Sequence, residues 1–247
     1  MSKFEGRIAV ITGGAKGIGE SIVRKFYDEG AKIAIIDVDA AGAQQLALEL
    51  DPSGNKVIGL GCNIVNRPEV KAAFEAIAAK FGTVDILVNN AGITRDAIFH
   101  KMTEKQWDDV IAVNGKGLFN CTQEAWMIMK AQKYGKICNL SSTNASGEAG
   151  QANYAFTKAG IIAVTKSLAK EGGRHNINVN CVRPGVIDTE MMRAVPENVL
   201  EDLVNKTAFK RMGTPSEVAD TVAYLCSEEA SWVTGEELLV AGGFMYR

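Results

Sequence analysis

The stretch RIAVITGGAKGIGESIVRKF, residues 7–26, does most to limit what this chain can fold into. An apolar run passes through three spaced glycines, Gly13, Gly17 and Gly19, straight into a segment whose apolar residues Ile18, Ile22, Val23 and Phe26 fall at helical spacing. A strand that is apolar on both sides needs cover on both faces, and a strand that feeds a helix directly begins a crossover unit. The glycines have a second consequence. They allow a tight turn and a close approach of backbone to a ligand, and the start of the helix offers unpaired amides and a dipole that suit a phosphate. The spacing is G-x-x-x-G-x-G rather than G-x-G-x-x-G, and no GK[ST] follows, so a nucleotide-hydrolase phosphate loop is excluded.

The same alternation runs to the end of the chain. Residues 7–12, 32–37, 56–60, 84–89, 136–140, 177–182 and 237–240 read as strands, and 17–29, 40–50, 67–81, 103–130 with an interruption, 151–172 and 215–226 as helices. This order predicts an α/β fold, a parallel sheet with helices on both faces. No linker or repeat divides the 247 residues, so 1–247 is expected to form one domain. Residues 186–212 are the least regular and follow a strand, where a substrate-binding lid could project; the alternative is a helical excursion with Leu200, Leu203 and Val204 facing the core.

Charge gives no sign of a nucleic-acid partner, since 27 Lys plus Arg face 29 Asp plus Glu without a block of one sign. The five cysteines are scattered, which suggests a reducing compartment, and no apolar run is long enough to span a membrane. A cytoplasmic location is the expectation. His100 and His175 have no ligand-like spacing around them, so no metal is expected.

Asp37 ends the second strand, eighteen positions after Gly19. Its carboxylate can accept hydrogen bonds from ribose hydroxyls and would repel a 2′-phosphate, which favours NAD; Lys16 could reach that phosphate and keeps NADP open. Asn89, Asn90, Ala91 and Gly92 follow another strand, with small residues that suit a flat adenine or ribose and amides that can hydrogen-bond it. Tyr154 and Lys158 lie four residues apart, on one helix face. Alone, that pair is equally an amphipathic face with a snorkelling lysine.

Taken in order, TGGAKGIG at 12–19, NNAG at 89–92, Asn114 in AVNGKG, NLSS at 139–142, YAFTK at 154–158 and RPGVIDT at 183–189 resemble the short-chain dehydrogenase/reductase family over essentially the whole chain. The resemblance implies a single-domain Rossmann-like fold and a catalytic set of Asn114, Ser142, Tyr154 and Lys158. It extends cofactor binding to Gly13, Lys16, Gly17, Ile18, Gly19, Asp37, Asn63, Ile64, Asn90, Ala91, Gly92, Tyr154, Lys158, Pro184, Gly185, Ile187 and Thr189. In this reading Tyr154 exchanges a proton with the substrate oxygen, and Lys158, helped by the positive charge of the oxidised nicotinamide, lowers the phenol from its usual value of about 10; the lysine also holds the cofactor ribose and joins a relay through Asn114.

The serine assignment has two registers. Strand anchoring on N-L-S-S selects Ser142, twelve residues before Tyr154, whereas Ser141 gives the commoner family separation of thirteen. A shortened loop costs little, but a one-residue slip on a strand reverses the side chain, so Ser142 is preferred. Two departures from the family pattern stand out: Asn63 where an Asp often meets adenine, and Ala241-Gly242-Gly243 where D-G-G is common.

Residues 91–111 and GQANY at 150–154 resemble the branch of 3-oxoacyl carrier-protein and acetoacetyl-CoA reductases, implying a keto thioester substrate and an acyl carrier protein or CoA as its carrier. Reductases of that branch commonly use NADPH, against the reading of Asp37. An NAD-dependent dehydrogenase of small ketones or secondary alcohols is the enzyme alternative, and a non-catalytic nucleotide-binding or scaffold protein the other. Lys130, Lys133, Lys170 and Arg174 could meet an acidic carrier or could be solvated helix ends. The family also implies a homotetramer through helices around 103–130 and 151–172.

Overall fold

In the computed structural model, which describes residues 2–244, the strands form one sheet in the order β3-β2-β1-β4-β5-β6-β7. They are β1 (Ile8–Thr12), β2 (Lys32–Asp37), β3 (Val57–Gly61), β4 (Ile86–Asn89), β5 (Gly135–Leu140), β6 (Ile177–Pro184) and β7 (Glu237–Val240), and every pairing is parallel. β1 and β5 are buried along their whole length, while the edge strands β3 and β7 are only partly covered. Burial along the strands thus follows their place in the sheet.

Helices cover both faces. On one side α1 (Gly17–Asp28) and α9 (Pro215–Cys226) bring Ile22, Phe26, Val218 and Val222 onto Ile11, Ile33 and Val88. On the other, α3 (Arg67–Phe81), α5 (Leu118–Gln132) and α6 (Ala152–Gly172) press Val70, Phe74, Cys121, Met129 and Ala169 against Val10, Leu87, Ile137 and Val179. α2 (Ala40–Leu50) packs beside β3.

Local signals set the helix ends. Thr214 and Glu217 form a reciprocal cap at the start of α9, and Gly82 takes φ 88° to stop α3. The interruption expected in 103–130 is a π-helical turn, Ile111–Gly117, between α4 (Glu104–Val110) and α5. Residues 186–212 contain two short helices, α7 (Glu190–Arg193) and α8 (Glu197–Asn205), neither with a buried residue. Leu200, Leu203 and Val204 are half-buried on α8 and belong to neither large core cluster.

Parallel pairing directs all seven strand C-termini to one edge. Strand order reverses between β1 and β4, and in such sheets the crevice beyond that switch point is where ligands bind.

Candidate active site

The glycine turn and β4 interlock at the switch point. The Asn90 side chain donates to the carbonyls of Thr12 (3.1 Å) and Gly13 (2.8 Å), and the amides of Asn90 and Ala91 both donate to the Thr12 hydroxyl at 3.1 Å. A Cβ on Gly19 would lie 2.0 Å from the Gly13 oxygen, so glycine there is a steric necessity. Thr12 opens the TGGAKGIG motif, but its role as the acceptor that joins β4 to the glycine turn was not read from the sequence.

No side chain caps the first turn of α1, which leaves those amides for a ligand. Asp37 lies beside them. Its carboxylate accepts from the amides of Ala15 and Asp39, each at 3.0 Å, which keeps a fixed negative group at the end of β2. Lys16 is engaged elsewhere. Its Nζ is 2.8 Å from the Glu190 carboxylate at the start of α7, and that bond and charge raise the lysine pKa. Thr189 caps α7 by accepting from the Met192 amide, and its methyl approaches Gly17. The start of 186–212 thus meets the glycine turn.

Asn63 is exposed and accepts from the Val65 amide at 3.1 Å, while Ile64 is buried against Gly117. Gly185 donates to the Val240 carbonyl and abuts Ala241, where any Cβ would come within 2.7 Å of the alanine methyl. Pro184 ends β6, Ile187 is buried, and Gly242 and Gly243 turn the chain at φ 57° and 69°. The Ala241-Gly242-Gly243 turn supports 186–212 from beneath, because Ala208 donates its amide to the Gly242 carbonyl at 2.8 Å.

Asn114 sits within the π-helical turn, almost fully buried. Its amide side chain pairs with both backbone groups of Ile93, accepting at 2.9 Å and donating at 3.0 Å, and also donates to the Thr157 hydroxyl at 3.2 Å. Gly92 lies where a Cβ would be 3.3 Å from Asn114 Oδ1 and 3.5 Å from Lys158 Nζ. Asn114, Gly92 and Lys158 therefore converge.

The two serines part company. Ser141 is buried and donates to the Lys158 backbone carbonyl at 2.7 Å, whereas the Ser142 hydroxyl accepts from the Asn144 amide and faces the Tyr154 phenol, on whose pKa it acts downward. Asn144 in turn donates to Gln151, and Gln151 to Asp96, both at 2.7 Å. These three polar residues were also missed, since they meet only when the loop folds back on α6.

Lys158 is buried, with Nζ donating to the Leu140 carbonyl at 2.7 Å and lying 5.4 Å from the Tyr154 ring centre. Burial lowers its pKa to about 8 and pushes that of Tyr154 up to about 12; the Ser142 bond acts downward on the phenol and the Asp96 charge upward. Desolvation is the largest influence on the phenol, and Tyr154 keeps its proton at neutral pH, ready to give it to an oxygen.

Desolvation, and then the charges of Arg174, Lys130 and Lys133 nearby, lower the pKa of His175. These residues lie at the opposite, N-terminal edge of the sheet; along α6 alone, Tyr154 and Lys170 are about 24 Å apart at 1.5 Å per residue. Among the described residues no group of three His, Cys, Asp or Glu could hold a metal ion, and no helix is long and apolar enough to cross a membrane.

A family model described as enoyl-(acyl carrier protein) reductase matches residues 13–245. The chain is 41% identical to a 3-oxoacyl-[acyl-carrier-protein] reductase FabG of Thermotoga maritima over 244 residues, 98% of this chain and 99% of the relative. It is 41% identical to the protein of that name in Staphylococcus aureus strain N315, covering 95% and 96% of the two chains, and 40% identical to that of Aquifex aeolicus, covering 98% of each.

Proposed function

Because this chain belongs to the short-chain dehydrogenase/reductase family, an oxidoreductase family served by a nicotinamide cofactor, we propose that it reduces the ketone of a 3-oxoacyl thioester to the 3-hydroxy product. The observation that carries this reading is the meeting of the Ser142 hydroxyl with the Tyr154 phenol at the C-terminal sheet edge, beside Lys158 and Asn114.

The residues present fit a nicotinamide dinucleotide. The uncapped amides of α1 would hold its phosphates, Asp37 the adenosine ribose, and Thr189 with Pro184 and Gly185 the nicotinamide end. When bound, that cofactor supplies the hydride. Ser142 donates a hydrogen bond to the carbonyl oxygen and stabilises the charge that develops there, while Tyr154 gives the same oxygen its proton. Lys158, where protonated, favours release of that proton, and Asn114 fixes the backbone of Ile93 beside it.

Two arrangements support NADH. Asp37 holds negative charge where a 2′-phosphate would come, and Lys16 pairs with Glu190 in an exposed contact that a phosphate would have to displace. Residues 186–212, with no buried residue in α7 or α8, suit a lid over the thioester. Phe119, Met127, Phe156 and Val164 are exposed on α5 and α6 and support a homotetramer through those helices. The basic group around His175 lies at the opposite sheet edge from Tyr154, so a carrier protein docked on it would reach the site only with an extended arm.

The test is steady-state turnover of acetoacetyl-CoA, a longer 3-oxoacyl carrier-protein substrate, simple ketones and a 2-enoyl thioester, each with NADH and NADPH. The 3-oxoacyl thioesters should give the highest kcat/KM, with NADH preferred and the preference about tenfold smaller in Asp37→Ala. Efficient reduction of the enoyl thioester alone, or of simple ketones above thioesters, would overturn the substrate reading. An NADPH preference in the unaltered protein would overturn the cofactor reading.

A further inference from the structure

Arg183 is the residue before Pro184 in β6, and most of its side chain is buried, with 16% exposed. Its guanidinium reaches across to the loop that carries Ser142. Nε donates to the Ser142 carbonyl at 3.2 Å, and Nη2 donates to the Thr143 carbonyl at 3.3 Å and the Ser146 hydroxyl at 2.8 Å. On its far side Nη1 lies 3.5 Å from Glu237 Oε2 in β7, and the other Glu237 oxygen is 3.5 Å from Lys166 on α6. One planar fork thus ties the Ser142–Ser146 segment to the edge of the sheet.

The segment needs such a tie. After Leu140 the chain leaves β5, and Ser141 makes the last ladder bond, from its amide to the Val182 carbonyl. From Ser142 onward it is a single 3-10 turn, Thr143–Ser146, ending at Gly147 with φ 101°. Its backbone hydrogen bonds are few and local, Ala145 to Ser142, Gly147 to Asn144 and the Asn144 amide to the Ser142 hydroxyl, and the Asn144 side chain holds it to Gln151 at the start of α6. None of these joins the turn to the body of the sheet, and Arg183 does.

We propose that Arg183 is a positioning residue for the reduction, holding Ser142 in line with the substrate oxygen; this rests on the reading of Ser142 as the oxyanion donor. It touches neither phenol nor lysine and acts through the backbone carbonyl of Ser142 itself. A displacement of the order of 1 Å at such a donor costs about a hundredfold in rate. A lysine, with one point charge, cannot reproduce donors aimed at two carbonyls, a hydroxyl and a carboxylate together.

A double-mutant cycle with Arg183→Met, Arg183→Lys and Ser142→Ala tests this, reading kcat and KM for acetoacetyl-CoA, the Kd of NADH by fluorescence, and Tm. Arg183→Met should lower kcat about ten- to a hundredfold while KM and Kd change less than about twofold, and Arg183→Lys should recover part of the loss. In the Ser142→Ala background, Arg183→Met should change kcat less than about twofold. Multiplicative losses would overturn the proposal, as would a kcat in Arg183→Lys equal to that of the unaltered protein. If Ser142→Ala alone keeps full kcat, the reading of Ser142 fails whatever Arg183 does, and the proposal falls with it. Should Arg183→Met not fold, Arg183→Lys in both backgrounds decides by the same criteria.

Discussion

The two edges of the sheet each hold a buried lysine beneath a tyrosine ring. At the C-terminal edge Lys158 lies 5.4 Å from the centre of Tyr154; at the N-terminal edge Lys136 lies 5.8 Å from that of Tyr134. Burial lowers both lysine pKa values and raises both phenols. Residue type and perturbed titration therefore do not tell the pairs apart. Their partners do. The Tyr134 hydroxyl donates at 2.8 Å to the Glu228 carboxylate, Arg7 stacks on its ring at 4.0 Å and pairs with that same carboxylate, and Lys136 is bound at 2.8 Å to Asn178. A carboxylate acceptor pins the phenolic proton. Tyr154 meets a serine hydroxyl instead, so its proton is there to be transferred.

Exchanging the pairs' hydroxyls gives the sharpest contrast. Tyr154→Phe should lower kcat by about a thousandfold, in line with the loss of a positioned general acid, whereas Tyr134→Phe should leave kcat within about twofold. Steady-state assays of both variants check this; comparable losses would mean that the partner does not decide.

The lysines separate by pH. Lys158 must be protonated to favour release of the Tyr154 proton, and its pKa is about 8, so reductive kcat should hold below that value and fall as pH rises through it. Lys136→Met should keep the same limb. A pH–rate profile for the unaltered protein that stays level to pH 10 would break this assignment.

The smallest effect belongs to the structural edge. Tyr134→Phe removes a hydrogen bond to a carboxylate whose side chain is 59% exposed, so solvent screening leaves about 1 kcal/mol, or roughly 2–4 °C in Tm for a chain of this size. Thermal unfolding followed by circular dichroism measures it, and a Tm unchanged within error would mean that the bond contributes nothing.

The contrast also marks what the sequence can reveal. Strands 32–37 and 237–240 and helices 40–50, 67–81 and 215–226 were readable to the residue, because apolar runs end at local signals such as Gly82 and the Thr214–Glu217 pair. The convergence of Asn114, Tyr154 and Lys158 was legible through motif spacing. Strand direction selected Ser142, and the structure brings that serine, rather than Ser141, to the phenol. Arg183, Asp96 and Gln151 were illegible, since each acts across contacts 37 to 55 residues away in the chain. A motif likewise gives the neighbour's charge but not how much water the fold removes, and it is that loss of water that raises the Tyr154 phenol.

The π-helical turn at Ile111–Gly117 has a further meaning for how this protein tolerates length changes. A π turn spends more residues per turn than an α-helix, so the segment holds a residue that helix formation does not require. Deleting it would let α4 run smoothly into α5, while swinging Asn114 away from Ile93 by about 100°, one residue's share of a 3.6-residue turn. The irregularity is an insertion kept against the helix's own preference, and the most regular version of this helix would be the one least able to hold Asn114 in the site.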